Sequence, residues 1–371
     1  MEENMNEKIK IIVSGDYEVF GNGTGDVLER VVEPTDRILD ICDRHGARFT
    51  IFAEVCEYWA FKEHSKELER DLGYMPHIMI ERQLKKAVKR GHDVQLHLHP
   101  QWIGADYTGG GWKLNYEWWR LPNLPHGLGS EDDILSLKGL IKKGKETLEQ
   151  LLREEDVPYE CMAFRSGAWC IQPAKEVLLA LEANHIRVDS TVAKGRYLVH
   201  EPFFVDFRNA HSNCRPWYAS AEDINSPSSG GENAVLEVPV FSMPYRRYER
   251  IPYMIAEKIL CKRKADTREG GPYKPDGKVM GTGTPVFEKI FGEKYYFWDI
   301  SNSFRWNRKM YMDSFKKRPR GKGLVLVMEG HPKTFFNGTE LERTLSYLSE
   351  ESSVEFVKYK DVVSDLADKK R

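Results

Sequence analysis

Short apolar runs alternate with amphipathic segments along most of the chain. The runs that predict buried strands are residues 10–14, 48–53, 93–98, 162–164, 186–191, 234–240, 323–328 and 354–359. Spacing of three to four residues between apolar side chains predicts helices at residues 27–45, 58–70, 77–90, 132–155, 173–184 and 341–348. Strands that alternate with helices indicate βαβ units and a parallel sheet, so the pattern predicts an α/β fold.

Five of these strands end in polar or charged side chains. In chain order the side chains are Asp16 and Glu18, His97 and His99, Arg165, Asp189, and His331. If the sheet closes into a (β/α) barrel, the carboxyl ends of its strands meet at one face, where barrel enzymes carry their chemistry. Unusual polar groups gathered in this way are typical of an active site.

The third predicted strand carries the strongest metal-binding pattern. Side chains alternate along a strand, so Gln95, His97 and His99 point to the same side. Two imidazoles so spaced can share one metal ion, and a carboxylate with two imidazoles leaves room for a water ligand. The alternative is a pair of structural histidines with no metal.

Two long segments interrupt the pattern. We predict one domain, residues 1–371, with insertions at about residues 103–130 and 197–320. The first contains many aromatic residues, which favours either a cover for the site or an Ω-loop with its own small core. Within the second, residues 262–278 are basic and form either a surface loop or a lip for an anionic ligand.

Composition excludes several classes of protein. The chain has 371 residues, of which 41% are hydrophobic, and a net charge of −2, so nothing indicates binding to nucleic acid or to a membrane surface. Six cysteines occur without a C-x-x-C pair, which favours free thiols. No apolar run reaches membrane-spanning length, and the first ten residues do not resemble a signal peptide. We therefore expect a soluble, cytoplasmic protein.

Five short stretches together resemble a known family. They are Asp16-Tyr17-Glu18, Gly91 to His97, Arg165 to Trp169, Asp189-Ser190-Thr191, and Leu326 to His331. Their order and spacing resemble the five motifs of the NodB-homology polysaccharide deacetylases, metal-dependent sugar N- and O-deacetylases. The resemblance covers about residues 10–335 and implies a distorted (β/α) barrel with long loop insertions.

The resemblance also implies an activity: removal of an N-acetyl or other acyl group from a sugar, as in cell-envelope polysaccharide biosynthesis. The expected cofactor is a divalent metal, with zinc first and cobalt, nickel or manganese as alternatives. The expected partner is an acetylated amino sugar, free, nucleotide-linked or lipid-linked. The implied roles are metal ligands for Glu18, His97 and His99, a base for Asp16 oriented by Arg165, an acid for His331 oriented by Asp189, and sugar-binding walls from Trp169, Trp102 and Trp112.

Two positions depart from the family pattern. The second histidine of the family lies four residues after the first, where this chain has Gln101, and a tyrosine separates Asp16 from Glu18. Two other functions therefore stay open: a metal-free glycosidase that uses two carboxylates, and a carbohydrate-binding protein that has lost catalysis.

Overall fold

The computed structural model describes residues 8–153, 158–231, 234–246, 248, 293–301, 305–319 and 321–368. Its strands are β1 Ile9–Tyr17, β2 Phe49–Glu54, β3 Asp93–Leu98, β4 Asp106–Thr108, β5 Gly111–Lys113, β6 Ala163–Ser166, β7 Val188–Asp189, β8 Tyr197–His200, β9 Phe203–Asp206, β10 Trp217–Tyr218, β11 Leu236–Glu237, β12 Ser242–Arg246, β13 Glu293–Phe297, β14 Val325–Met328 and β15 Val354–Phe356. Its helices are α1 Glu33–Arg44, α2 Val55–Glu63, α3 Ser65–Leu72, α4 Pro76–Lys89, α5 Leu137–Arg153, α6 Lys175–Ala183, α7 Arg305–Lys317, α8 Thr339–Glu350 and α9 Tyr359–Asp368.

One large sheet organises the fold. Its strands follow the order β10-β11-β7-β6-β3-β2-β1-β14, and β15 also pairs with β1. Every pair in it is parallel except β10 with β11. The sheet curls until Val240, just after β11, forms a parallel bridge with Val327 of β14. The predicted distorted (β/α) barrel is confirmed.

The barrel strands are buried on both faces, which explains why they are apolar in sequence. All six residues of β2 are buried, as are five of the six in β3. Helices α1, α2, α4 and α5 pack outside this sheet through their apolar faces. At the carboxyl ends of the strands, buried polar side chains replace the apolar ones, and this end of the barrel holds the candidate site.

Gly15 allows two of these strand ends to approach closely. A Cβ atom at Gly15 would lie 2.8 Å from the ring of Phe49 and 2.9 Å from the carbonyl oxygen of Gly330. The next residue, Asp16, donates its backbone N–H to the same Gly330 oxygen over 2.9 Å. This close approach brings Asp16 beside His331.

Three predicted helices differ in detail. The segment predicted as residues 27–45 begins with a π-helical turn, Leu28–Val32, before α1. The segment predicted as 58–70 is divided at His64 between α2 and α3. The segment predicted as 132–155 becomes helical only at Leu137, because Asp133 and Ser136 bind nearby backbone groups and hold the preceding residues in turns.

The predicted insertions contain small elements of their own. The first holds the β4–β5 hairpin, and the second holds the β8–β9 and β12–β13 pairs. Strands β10 and β11 also fall within the second segment, yet they belong to the barrel sheet. Residues 262–278, for which we predicted a basic loop, lie outside the described residues.

None of the helices in the described part of the chain is both long enough and apolar enough to cross a membrane.

Candidate metal centre and active site

Side chains from four barrel strands meet at the carboxyl end of the sheet. Asp16 lies on β1, His97 on β3 and Arg165 on β6, and His331 follows β14. His97 and Arg165 are direct neighbours in the β3–β6 register, and Arg165 reaches across to bind Asp16. Parallel pairing thus places groups from distant parts of the sequence within one cluster.

Glu18, His97 and His99 form a compact group of ligand atoms. One atom from each lies within 4.8 Å of the other two, and all three residues are buried. Glu18 Oε2 lies 2.8 Å from His99 Nε2 and 3.6 Å from His97 Nε2. The two imidazole rings meet edge to face with their centroids 5.0 Å apart.

Both imidazoles direct an unused nitrogen towards Glu18. His97 Nδ1 is fixed by the carbonyl oxygen of Arg165 at 2.8 Å, so Nδ1 carries the proton and donates it. Neither His97 Nε2 nor His99 Nε2 forms a well-aligned hydrogen bond, although both are buried and lie 3.6 and 2.8 Å from Glu18 Oε2. Buried polar atoms are normally paired. A divalent cation held by one carboxylate and two imidazoles would satisfy both atoms, so the donor set fits a zinc-type ion.

The charges around this group also favour a cation. Burial alone would raise the pKa of Glu18, but His99 and Lys333 outweigh it and hold the pKa of Glu18 well below its usual range. Burial opposes the charged form of His97, but Asp16 and Glu18 outweigh it and raise the pKa of His97 to about 9. The pocket therefore holds an ionised carboxylate and stabilises positive charge.

Gln101 occupies the position where the family pattern has a histidine. Its side chain is fully buried, and its amide lies 3.0 Å from His99 Nδ1. The Gln101 amide oxygen has no hydrogen-bond partner of its own. The amide orientation that gives it one turns Oε1 towards His99 Nδ1, which then carries a proton and donates it. Gln101 would then fix the tautomer that leaves His99 Nε2 free, which is a common supporting arrangement around metal-binding histidines.

Replacing Gln101 with leucine is therefore expected to weaken cation binding by about 10–100-fold, because His99 Nδ1 loses its acceptor. The measurement is zinc affinity by competition with a chromophoric chelator. Gln101→Glu is the matched control, because its carboxylate still accepts the Nδ1 proton and affinity should be retained. Wild-type affinity in the leucine variant would show that Gln101 does not support the ligand.

Asp16 and Arg165 form a buried ion pair. Arg165 Nη1 donates to Asp16 Oδ1 over 2.8 Å, and the rest of the guanidinium is held by Ser14, Ser190 and Tyr359. Its carbon atom also lies 4.1 Å from the centre of the Phe52 ring. Burial would raise the pKa of Asp16, but Arg165 outweighs it and lowers the pKa. Asp16 is thus an ionised, oriented carboxylate whose second oxygen, Oδ2, faces the metal group.

His331 stands at the rim of the site. Its Nε2 lies 3.8 Å from Asp16 Oδ2 and 3.6 Å from Glu18 Oε1, while its Nδ1 lies 3.4 Å from Glu329 Oε1. Burial and the nearby Lys333 ammonium lower the pKa of His331 to about 4, so the ring is neutral at pH 7. A neutral ring can accept a proton from one neighbour and pass it to another.

The partner predicted for His331 differs from the one in the structure. Asp189 accepts a hydrogen bond from Thr191 at 2.6 Å and lies opposite Glu237 in the β7–β11 register, and no ion pair joins it to His331. Burial raises the pKa of both carboxyls of this pair. Glu329 takes the place beside His331, because it lies two residues earlier at the end of the same strand.

Three supporting residues were not predicted from the sequence. Glu54 accepts the backbone N–H of His99 over 2.7 Å, and Glu57 accepts that of Val19 over 3.1 Å. Lys333 Nζ lies 2.7 Å from Glu18 Oε1. These contacts fix the backbone on both sides of the metal group. Glu54 could have been predicted, because it is one more carboxylate at the end of a buried strand. Nothing in the sequence pattern indicated Glu57 or Lys333.

The predicted aromatic walls occupy two different environments, since Trp102 and Trp112 pack against each other and Trp169 lies elsewhere. Trp169 follows β6, and the Arg196 guanidinium lies 4.6 Å from its ring centre. Trp102 is buried against Phe61, and Trp112 lines a separate cavity of about 440 Å³. The aromatic ring beside the metal group is instead that of Trp119, whose centroid lies 5.9 Å from that of His99. The long 103–130 connection therefore does reach the site, through a different tryptophan.

Comparison with known proteins gives a likeness in fold. No protein-family model and no curated protein sequence matches the chain. A structure of a Parabacteroides distasonis protein described as a candidate glycoside hydrolase/deacetylase aligns with a TM-score of 0.52 and 12% identity, over 100% of this chain and 74% of the other. This likeness shows that the two chains share a fold, as the sequence motifs predicted.

Two further solved structures align less closely. A candidate polysaccharide deacetylase of Mycobacterium smegmatis aligns with a TM-score of 0.48 and 12% identity, over 100% of this chain and 94% of that protein. A branching enzyme of Thermococcus kodakaraensis aligns with a TM-score of 0.47 and 12% identity, over 96% and 71% of the two chains.

Proposed function

We propose that this protein is a cation-dependent hydrolase that removes an N-acetyl or other acyl group from an amino sugar. One observation carries the proposal. Two buried imidazole nitrogens that form no well-aligned hydrogen bond face an ionised carboxylate, and an arginine-bound aspartate lies beside them. Metal-assisted hydrolysis of an amide needs both of these features, a site for a Lewis-acidic ion and a base next to it.

Glu18, His97 and His99 would hold the ion, with zinc as the expected metal and cobalt, nickel or manganese as alternatives. When bound, such an ion lowers the pKa of a coordinated water and polarises the acyl carbonyl. The chain's own residues must then accept the proton that the water gives up and deliver one to the leaving nitrogen.

In this proposal Asp16 accepts the first proton. Arg165 occupies Oδ1, so Oδ2 is the oxygen available to a water beside His97 and Glu18. Because Arg165 lowers the pKa of Asp16, the carboxylate is ionised at neutral pH before the reaction begins. Arg165 orients the base and does not touch the substrate.

His331 is placed to deliver a proton to the amine. Its Nε2 lies 3.8 Å from Asp16 Oδ2 and, as a neutral ring, it can take up the proton that Asp16 has received. It then donates this proton to the leaving nitrogen as the carbon–nitrogen bond breaks. Asp16 returns to its ionised form, and the products are a free amine and a carboxylic acid, which then gives up its own proton.

The proposed substrate is an acylated amino sugar, free or carried on a nucleotide or a lipid. We assign the apolar face of the sugar ring to Trp119, whose ring centroid lies 5.9 Å from that of His99, and to Trp169. The Parabacteroides distasonis protein that shares this fold is described as a glycoside hydrolase/deacetylase, which agrees with carbohydrate chemistry. A role in cell-envelope polysaccharide synthesis is part of the proposal.

Metal content and acetate release test the proposal together. The purified protein is expected to bind about one equivalent of zinc or a similar ion tightly, and the His97→Ala/His99→Ala double variant is expected to lose it. Elemental analysis measures the metal, and acetate release from N-acetylated sugars measures the activity. His126→Ala/His200→Ala, which removes two exposed histidines, is the matched control and should behave as the wild type.

Either of two results would contradict the proposal. Acetate release that persists in the double variant would show that the ion is not needed. Absence of tight metal binding in the wild type after reconstitution would favour the two other functions, a metal-free glycosidase or a non-catalytic carbohydrate-binding protein.

A further inference from the structure

A second group of metal-ligating side chains lies beside the first. It consists of Asp16, Glu329 and His331, and one ligand atom from each lies within 4.8 Å of the other two. His331 lies between the two carboxylates, with Nδ1 3.4 Å from Glu329 Oε1 and Nε2 3.8 Å from Asp16 Oδ2, and one of these two nitrogens would be its ligand atom. These spacings are similar to those of the Glu18 group.

Glu329 distinguishes this group from an ordinary set of acidic residues. Its side chain is 6% exposed, and its Oε1 atom accepts no hydrogen bond. The other two carboxylates here are neutralised, Asp16 by Arg165 and Glu18 by Lys333. Among the described residues, the only ion-pair partner of Glu329 is His331. An ionised carboxylate buried in this position raises the free energy of the folded state unless a further cation or a proton neutralises it.

We propose that Asp16, Glu329 and His331 form a second divalent-cation site, weaker than the first, whose occupation inhibits the enzyme. Two carboxylates and one imidazole suit zinc, cobalt or manganese. The second site is the weaker because Asp16 already shares its charge with Arg165, and because a cation bound by Glu18 would repel another one nearby.

Inhibition follows from the residues that the second cation uses. Asp16 Oδ2 and His331 are the groups proposed to move protons during hydrolysis. Once they coordinate an ion, neither can accept or donate a proton. Activity should therefore rise as the first site fills and fall as the second fills. This inhibition rests on the proposed function, whereas the number of ions bound does not.

Zinc titration of the metal-free protein tests the inference. Isothermal calorimetry with zinc alone should resolve one tight and one weaker class of site in the wild type. Glu329→Gln should keep the tight class and weaken the other by at least about tenfold, because it removes one of three ligands. Glu340→Gln is the matched control, since Glu340 is a buried carboxylate paired with Arg308 away from the site, and it should keep both classes. Retention of the tight class in Glu329→Gln also shows that the variant is folded.

The outcomes separate this inference from the proposed function. A single class in the wild type, or two unchanged classes in Glu329→Gln, would overturn the second site. A third result is possible, in which Glu329→Gln loses the weaker class of site and the wild type releases no acetate at any zinc concentration. This result would support the second site and refute deacetylation. Acetate release that does not fall while the weaker class fills would refute the inhibitory role.

Discussion

Replacing Asp16 with asparagine is expected to lower kcat/KM for deacylation by about 10²–10⁴-fold while leaving the first cation bound. The variant keeps the shape of the side chain and one oxygen for Arg165, but Oδ2 is replaced by an amide that cannot accept the proton of water. Glu18, His97 and His99 are untouched, so the tight metal content should not change. Acetate release and elemental analysis on the same preparation measure the two quantities.

Asp93→Asn provides the matched control for this prediction. Asp93 is a half-buried aspartate of a barrel strand, but it begins β3 and thus lies at the opposite end of the barrel from the site. Burial raises its pKa to about 6, so it remains mostly ionised at pH 7, as Asp16 does. Its variant should keep activity within a few-fold of the wild type. Equal activity in Asp16→Asn and wild type would remove Asp16 from the role of base.

The sequence was sufficient for the barrel and for most of the site because both follow from short-range patterns. A parallel barrel requires apolar strands and brings their carboxyl ends together, so Asp16, His97, Arg165 and His331 could be grouped without knowing the order of the strands. The alternation of side chains along β3 likewise placed His97 and His99 on one side. The observed grouping depends only on these general rules.

Contacts that depend on strand order could not be predicted in this way. Asp189 lies opposite Glu237 because β7 pairs with β11 in one particular register, and a single sequence contains no record of that pairing. The contact between Glu329 and His331 was therefore not predicted, although the two residues are only two positions apart in the sequence. Each polar side chain at a strand end can contact residues from more than one neighbouring strand. The order and register of the strands in the folded structure determine which of these contacts forms.

The tryptophans show a similar limit. Trp102 and Trp119 lie in or beside short helical turns and Trp112 lies in the three-residue strand β5, elements that the sequence pattern did not predict. Two of them pack together, with ring centroids 5.1 Å apart, while Trp119 turns towards His99. Without a predicted helix or strand to set the side-chain directions, aromatic content alone could favour a cover for the site but not which ring contributes to it.

Replacing Arg165 with methionine is expected to lower the free energy of unfolding by about 3–5 kcal/mol, the largest effect on stability that we expect for a single residue of the site. The guanidinium is fully buried and binds Asp16, Ser14, Ser190 and Tyr359. Methionine fills much of the volume but leaves the Asp16 carboxylate without its counter-charge in a buried pocket. Urea denaturation followed by circular dichroism measures the change, and Arg187→Met, which breaks an exposed pair with Glu160, should cost less than about 1 kcal/mol.

The source of this loss can be tested with a second substitution. If the cost of Arg165→Met comes mainly from an uncompensated charge, removing that charge should recover part of it. The Asp16→Asn/Arg165→Met double variant is therefore expected to be more stable than Arg165→Met alone. If the double variant is instead the less stable of the two, the loss comes from packing and from the contacts with Ser14, Ser190 and Tyr359. Arg165 would then act mainly as a support for the barrel, and its orientation of Asp16 would be secondary.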